Sequence, residues 1–234
     1  IHTDRRLRRY HLFGNWWRSE WSRFREIVRL GSPIALTWMA EGALFGGASL
    51  LMGVIGVKEV AAHAVALNIA SITFQVPLGV AQASTIRVGM AFGARDADWV
   101  RRAGWVALTL GVASMAVSAI AMWIWPRLFV SAYLDVSDPA NATVVGLAVS
   151  YLAVAAVFQL VDGAQAVAAG ILRGLQDTRV PMIVALFGYW VVGFGIAIAL
   201  GFRTPLAGVG IWIGLAAGLL VVSILLIWRW MARE

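Results

Sequence analysis

The chain contains no cysteine. That removes disulfides, thiolate metal sites and cysteine nucleophiles together. Histidine is nearly as scarce: His2, His11 and His63 share no ligand spacing, so no metal centre and no cofactor is expected. The sequence has no phosphate-cradling glycine loop, so it does not hydrolyse ATP, and any active transport must run on an ion gradient. It also lacks the paired aspartates and flanking signatures of an intramembrane aspartyl protease, and no enzymatic activity is expected. The greatest shortage is charge. Only 13% of the 234 residues are charged and 61% are hydrophobic, with a mean hydropathy of +0.80. Soluble domains carry about a quarter charged residues, so a core surrounded by water is excluded and lipid is the expected solvent.

What is present is a set of long apolar runs. Six of them, about 31–57, 61–86, 103–125, 143–172, 181–202 and 205–228, each reach the roughly 20 residues a helix needs to cross the hydrocarbon. The fold class is therefore an all-α membrane protein with six transmembrane helices, occupying residues 30–234. Ser32 and Pro33 read as the N-cap and first residue of the first helix, and Asp177 or Thr178 as a cap for the helix that Pro181 opens. Pro205 opens the last helix, and Pro77 inside the second should kink it. Gly42 and Gly46, and Gly210, Gly214 and Gly218, recur every four residues and read as close helix-packing positions.

The net charge of +7 is a matter of topology, not of nucleic acid. Sixteen Lys and Arg fall in the tails and in alternate loops on one side, including eight arginines in residues 1–29; the opposite loops hold only Lys58, Arg127 and Arg203. The positive-inside rule places both termini in the cytoplasm of a multi-pass protein of the inner (plasma) membrane. Residues 1–29 interleave those arginines with Trp16, Trp17, Trp21 and Phe24 and read as a basic, partly amphipathic cytoplasmic linker on the bilayer surface. Trp99, Trp105, Trp123, Trp125, Trp228 and Trp230 lie near span ends, as an aromatic belt does. His63 falls near an outer end and reads as interfacial. The chain begins with Ile1, and its opening stretch reads as an internal loop of something longer.

Two acids break the apolar pattern. Glu41 lies in the first span and Asp162 in the fourth, while the other ten acidic residues sit in tails, loops or span ends. A charge at mid-bilayer costs at least about 2.5 kcal/mol, so such residues face the bundle interior and serve function. Glu41 is twelve residues from Arg29 and Asp162 eleven from Arg173, which puts both roughly 16–18 Å from the same membrane face. Gln159, Asp162 and Gln165 form a stripe spaced by three; Asn68, Ser71, Gln75 and Gln82 form another on the second span. Trp38 and Phe45 lie one turn either side of Glu41. Carboxylates, amides and rings at one depth suit a pocket for an organic cation, and equally for Na⁺ or H⁺. The alternatives are a carboxylate that holds a partner helix and glutamines that act as packing glue.

Three segments resemble a known family: "GSPIALTWMAEGALFGGASLLMGVIG" (31–56), "AAHAVALNIASITFQVPLGVAQASTIRVGMAFGARD" (61–96) and "FQLVDGAQAVAAGILRGLQDTRVPMIVALFGYW" (158–190). They are similar to the C-terminal half of multidrug and toxic compound extrusion (MATE) transporters of the NorM-like branch. The resemblance implies one six-helix lobe of a twelve-helix, V-shaped transporter whose N-terminal six-helix lobe is missing here. It implies export of cationic amphipathic drugs in exchange for H⁺ or Na⁺. It also implies that Glu41 and Asp162 are the cation-coupling acids and the only place for Na⁺. Phe45 matches an aromatic position near them. Some Na⁺-coupled members carry a tyrosine one turn before the tenth-helix acid, where this chain has Phe158; the lost hydroxyl favours H⁺. The expected substrate cavity is Trp38, Phe45, Asn68, Gln75, Phe158, Gln159 and Gln165. Two other functions compete: a lipid-linked saccharide flippase of the same superfamily, which would need a basic cavity for pyrophosphate, and a non-transporting scaffold, which would tolerate Asp162→Asn.

Overall fold

The computed structural model describes residues 20–233, and every described element is helical. Helix α1 spans Trp21–Ile55, α2 Val57–Gly93 and α3 Ala97–Ile124. A short helix, α4 (Pro126–Ser131), leads through a 3₁₀ turn at Pro139–Asn141 into α5 (Ala142–Gly174). The fifth span is composite: α6 (Arg179–Leu186), a π-helical stretch Phe187–Gly193, and α7 (Phe194–Arg203). Helix α8 closes the bundle at Ala207–Met231. Six of these segments are long and apolar enough to cross a membrane, which makes this a multi-pass membrane protein.

Helix α5 is the axis of the fold. It packs against α2, α3 and α8, and from Phe158 onward its side chains are buried on nearly every face. Small residues permit this, because two helices in lipid gain stability chiefly by close approach. At Gly170 the α2 backbone leaves no room for a side chain: a Cβ there would stand 2.5 Å from the Ala81 carbonyl oxygen. Thr85 on α2 uses the same approach to donate its hydroxyl to the Gly170 carbonyl at 2.9 Å. A second close contact joins α8 to the π stretch, where a Cβ on Gly218 would lie 2.7 Å from the Gly188 oxygen. The close-packing expectation thus holds for Gly218, whereas Gly42 and Gly46 face open space on α1.

Several boundaries differ from those expected. Helix α1 starts at Trp21, ahead of Ser32, and Pro33 lies inside it. Residues 21–29 are therefore helical and continuous with the first span, while residues 1–19 of the expected linker lie outside the described residues. A helix of 35 residues is roughly 52 Å long and outreaches the hydrocarbon. Pro77 lies inside α2, where the sequence places it. Asp177 caps nothing: it pairs with Arg229 at 3.0 Å and Arg233 at 3.3 Å, tying the α5–α6 turn to the end of α8. Thr178 occupies the N-cap position of α6 without a side-chain cap bond, and α8 begins two residues after Pro205. His63 is buried, not interfacial. Its Nε2 lies 3.1 Å from the Ser49 hydroxyl and its ring 5.5 Å from Trp212. Of the expected belt, Trp105, Trp123, Trp125 and Trp228 are exposed, but Trp230 is fully buried against Trp105.

Candidate functional site

Asp162 sits inside the bundle on α5, only 5% exposed. The residues three positions either side point to different neighbours, as a 3.6-residue helix requires. Gln159 turns toward α2, donating its amide to the Thr73 hydroxyl at 2.5 Å and to the Ala70 carbonyl at 3.4 Å. Gln165 turns toward the π stretch and donates its amide to the Tyr189 hydroxyl. Asp162 lies between these two directions. Each amide is fixed through its N–H, and each leaves its carbonyl oxygen without a partner. Gln159 Oε1, Asp162 Oδ1 and Gln165 Oε1 are all buried and accept no hydrogen bond among the described residues.

Three unsatisfied acceptors on one stripe are an unusual arrangement. A buried polar atom without a partner costs about 1–3 kcal/mol, more when charged, and such atoms are rare unless they serve a function. Carboxylate and amide oxygens together offer a hard-donor set, the kind that suits a proton or an alkali cation and does not suit soft metals.

Helix α1 supplies the other acid. Glu41 is half-buried and lines a small cavity with Thr37, Trp38, Gln165, Arg173 and Thr178. The cavity, about 20 Å³, has room for about one water molecule. Phe45, one turn further along α1, meets Phe158 edge-on at 6.1 Å, and Phe158 meets Trp212 in the same way at 5.7 Å. Trp38, one turn earlier, lies under the Arg173 guanidinium at 5.6 Å. Ala166 and Ala169 of α5 also line this cavity, so Glu41 faces α5 within about two turns of Asp162.

Of the expected site residues, Glu41, Trp38 and Gln165 share the cavity, Phe45 packs on Phe158, and Gln159 flanks Asp162. Asn68 and Gln75 are not brought to this place. They lie on the exposed face of α2, their amides turned back to the Ala64 carbonyl at 2.8 Å and the Ser71 carbonyl at 3.4 Å. Three contributors escaped the sequence. Thr73 has no periodic partner that marks it. Arg173 reads as the end of a span, yet lines the Glu41 cavity. Tyr189 lies in the π stretch, where α-helical counting assigns the wrong face.

Comparison with known proteins converges on one family. The family model described as MatE matches residues 33–199. A probable multidrug resistance protein NorM of Mesorhizobium japonicum is 54% identical over 234 residues, all of this chain and 50% of that protein. A protein of the same name from Brucella suis is 53% identical over 225 residues, 96% of this chain and 48% of that protein. The multidrug resistance protein NorM of Burkholderia vietnamiensis is 49% identical over 204 residues, 87% of this chain and 44% of that protein. The chain thus spans about half the length of the curated relatives it matches. Among solved structures, the eukaryotic MATE transporter AtDTX14 superimposes with a TM-score of 0.82 at 23% identity, covering 90% of this chain and 46% of that one. A MATE protein in a straight conformation gives 0.83 at 20% identity, covering 94% and 48%. At these identities the likeness is one of fold.

Proposed function

The chain belongs to the MatE family, and from that premise we propose that it forms one six-helix lobe of a two-lobe exporter of cationic amphipathic compounds. The driving force is exchange against a cation bound at Asp162 and Glu41, with both termini in the cytoplasm. One observation carries this reading: the buried stripe of unpartnered oxygens on Gln159, Asp162 and Gln165. In a low-dielectric interior those oxygens are costly when left bare, and a bound cation or proton offsets the cost.

A second observation gives a role to the residues outside the buried site. Asn68, Ser71, Gln75 and Gln82 share one exposed face of α2. A polar stripe on a membrane-crossing helix faces protein or a water-filled cleft in preference to lipid. We assign it to the wall of the cleft between the two lobes, where a drug would pass, while Trp38 and Phe45 supply aromatic surface beside Glu41.

The coupling ion is assigned as H⁺. Phe158 brings a ring but no oxygen, and the Tyr189 hydroxyl is already engaged by Gln165. Proton and drug then compete for the same negative charge. A ligand moves the lobes only by its differential affinity for their two arrangements, so neutralising Asp162 from one side both releases the drug and favours return. The flippase alternative needs a basic cavity, and the one arginine lining the Glu41 cavity shares it with that acid and stacks over Trp38.

The test is drug movement in proteoliposomes holding the complete two-lobe protein, with a pH gradient or a Na⁺ gradient imposed separately. Efflux driven by the pH gradient is expected. Efflux that follows Na⁺ alone at matched pH would overturn the proton assignment, and efflux indifferent to both would overturn ion exchange itself.

A further inference from the structure

A groove lies between α2 and α3, apart from the acids and from the polar stripe of α2. Its volume is about 440 Å³, and Arg87, Trp99, Arg102, Val80, Val106 and Leu110 are among its walls. The two helices are antiparallel neighbours joined by the turn at Ala94–Asp96. Arg87 lies six residues before the end of α2 and Arg102 five residues after the start of α3. Both guanidinium groups therefore originate roughly 8–9 Å from the helix ends, at one level. Both are exposed, and neither has a carboxylate within ion-pairing distance among the described residues. Their neighbour Arg101, in contrast, pairs with Asp98 at 3.3 Å.

The walls change character along the groove. From the arginines toward mid-span, Val80 lies seven residues from Arg87, and Val106 and Leu110 lie four and eight from Arg102. All three are apolar and continue for roughly 10–12 Å on both helices. Trp99 stands at the charged end, half-buried, where an indole favours the headgroup level of a bilayer.

From this we infer that the α2–α3 groove binds an anionic phospholipid, with its phosphate between Arg87 and Arg102 and an acyl chain along Val80, Val106 and Leu110. Two forked guanidiniums match a phosphodiester by charge-assisted hydrogen bonds. A free anion would use the arginines but leave the apolar walls without purpose. A zwitterionic lipid would use the walls but brings a positive group of its own to the arginines. Basic pockets between membrane helices are recognised settings for acidic headgroups. The assignment is independent of which compound or ion the protein transports.

The test is native mass spectrometry of the complete protein in detergent, titrated with phosphatidylglycerol or phosphatidylcholine. The wild type should retain phosphatidylglycerol selectively, and R87Q/R102Q should weaken that retention by about thirtyfold. R95Q/R101Q removes the same charge from exposed positions outside the groove and should leave retention unchanged. R87K/R102K should recover most of it, which separates lost charge from misfolding. A large excess of inorganic phosphate should not displace the lipid. Equal retention by wild type and R87Q/R102Q, equal weakening by both glutamine pairs, or displacement by phosphate would each overturn the proposal.

Discussion

The Gln165 amide on α5 donates to the Tyr189 hydroxyl on the π stretch of the fifth span, and both groups are buried. The bond fixes which way Gln165 faces, and its carbonyl oxygen has no hydrogen-bond partner among the described residues. Tyr189 is thus a positioning residue for the stripe that holds Asp162. Tyr189→Phe should lower ion-driven efflux several-fold and cost only about 0.6 kcal/mol of stability, the mean for an interhelical hydrogen bond in a membrane. Efflux and thermal midpoint measured together decide this. A large fall in the midpoint with proportionate loss of activity would mean a merely structural role.

Asp162→Asn should abolish efflux in the complete protein while leaving expression and monodispersity near the wild-type level. The substitution keeps the shape and removes a buried charge, so the fold loses nothing that depended on it. Glu41→Gln should weaken efflux in the same direction, less completely, because Glu41 is half-buried and has Arg173 beside it. Normal efflux in both variants would leave the cation site, and the transport mechanism built on it, without support; a scaffold would tolerate both.

Gly170→Ala should destabilise by about 1–3 kcal/mol, the cost of overpacking a close contact. The added Cβ would meet the Ala81 oxygen at 2.5 Å and the Ser84 hydroxyl at 2.7 Å, and would disturb the Thr85 bond to the Gly170 carbonyl. Gly42→Ala is the matched control, because nothing lies within 4 Å of a Cβ there. Thermal unfolding followed by size-exclusion chromatography reads both. Equal midpoints would show that α2 and α5 can separate freely at Gly170.

Much of this could be read from the residues because lipid imposes simple rules. Each of the six spans is an apolar run, and the charge-free surroundings of Asp162 and Glu41 make those two acids conspicuous. The stripe of Gln159, Asp162 and Gln165 followed from helical period alone. What stayed hidden depends on how helices meet. No period in one helix tells that Gln159 reaches Thr73 while Asn68 and Gln75 face outward. The π stretch hides Tyr189, since it shifts the phase of every residue after Phe187. Ser32-Pro33 reads as the start of α1 because Ser-Pro is a good helix opening, yet Pro33 is also tolerated inside a long helix. Pro33 deprives only the Arg29 carbonyl of its helical donor, and the turn that follows is braced by the Thr37 hydroxyl, which donates to the Pro33 oxygen at 2.9 Å.

Phe158→Tyr should alter ion preference. Phe158 stands one turn before Asp162 on α5 and is buried between the rings of Phe45 and Trp212. Those two rings grip it edge-on and hold its position without any polar contact, which leaves the Asp162 neighbourhood one oxygen poorer. A tyrosine keeps the ring and adds a hydroxyl within a helical turn of the carboxylate. A proton needs no ligand beyond the carboxylate, whereas an alkali cation needs several oxygens around it. The hydroxyl should therefore raise Na⁺ affinity while changing proton binding little, and Na⁺-driven efflux at matched pH should appear in Phe158→Tyr where the parent protein has none. The double variant with Asp162→Asn should lose that new activity, which ties the effect to the carboxylate. Na⁺-driven efflux in the parent, or none in the tyrosine variant despite normal folding, would place the limiting ligand elsewhere than one turn before Asp162.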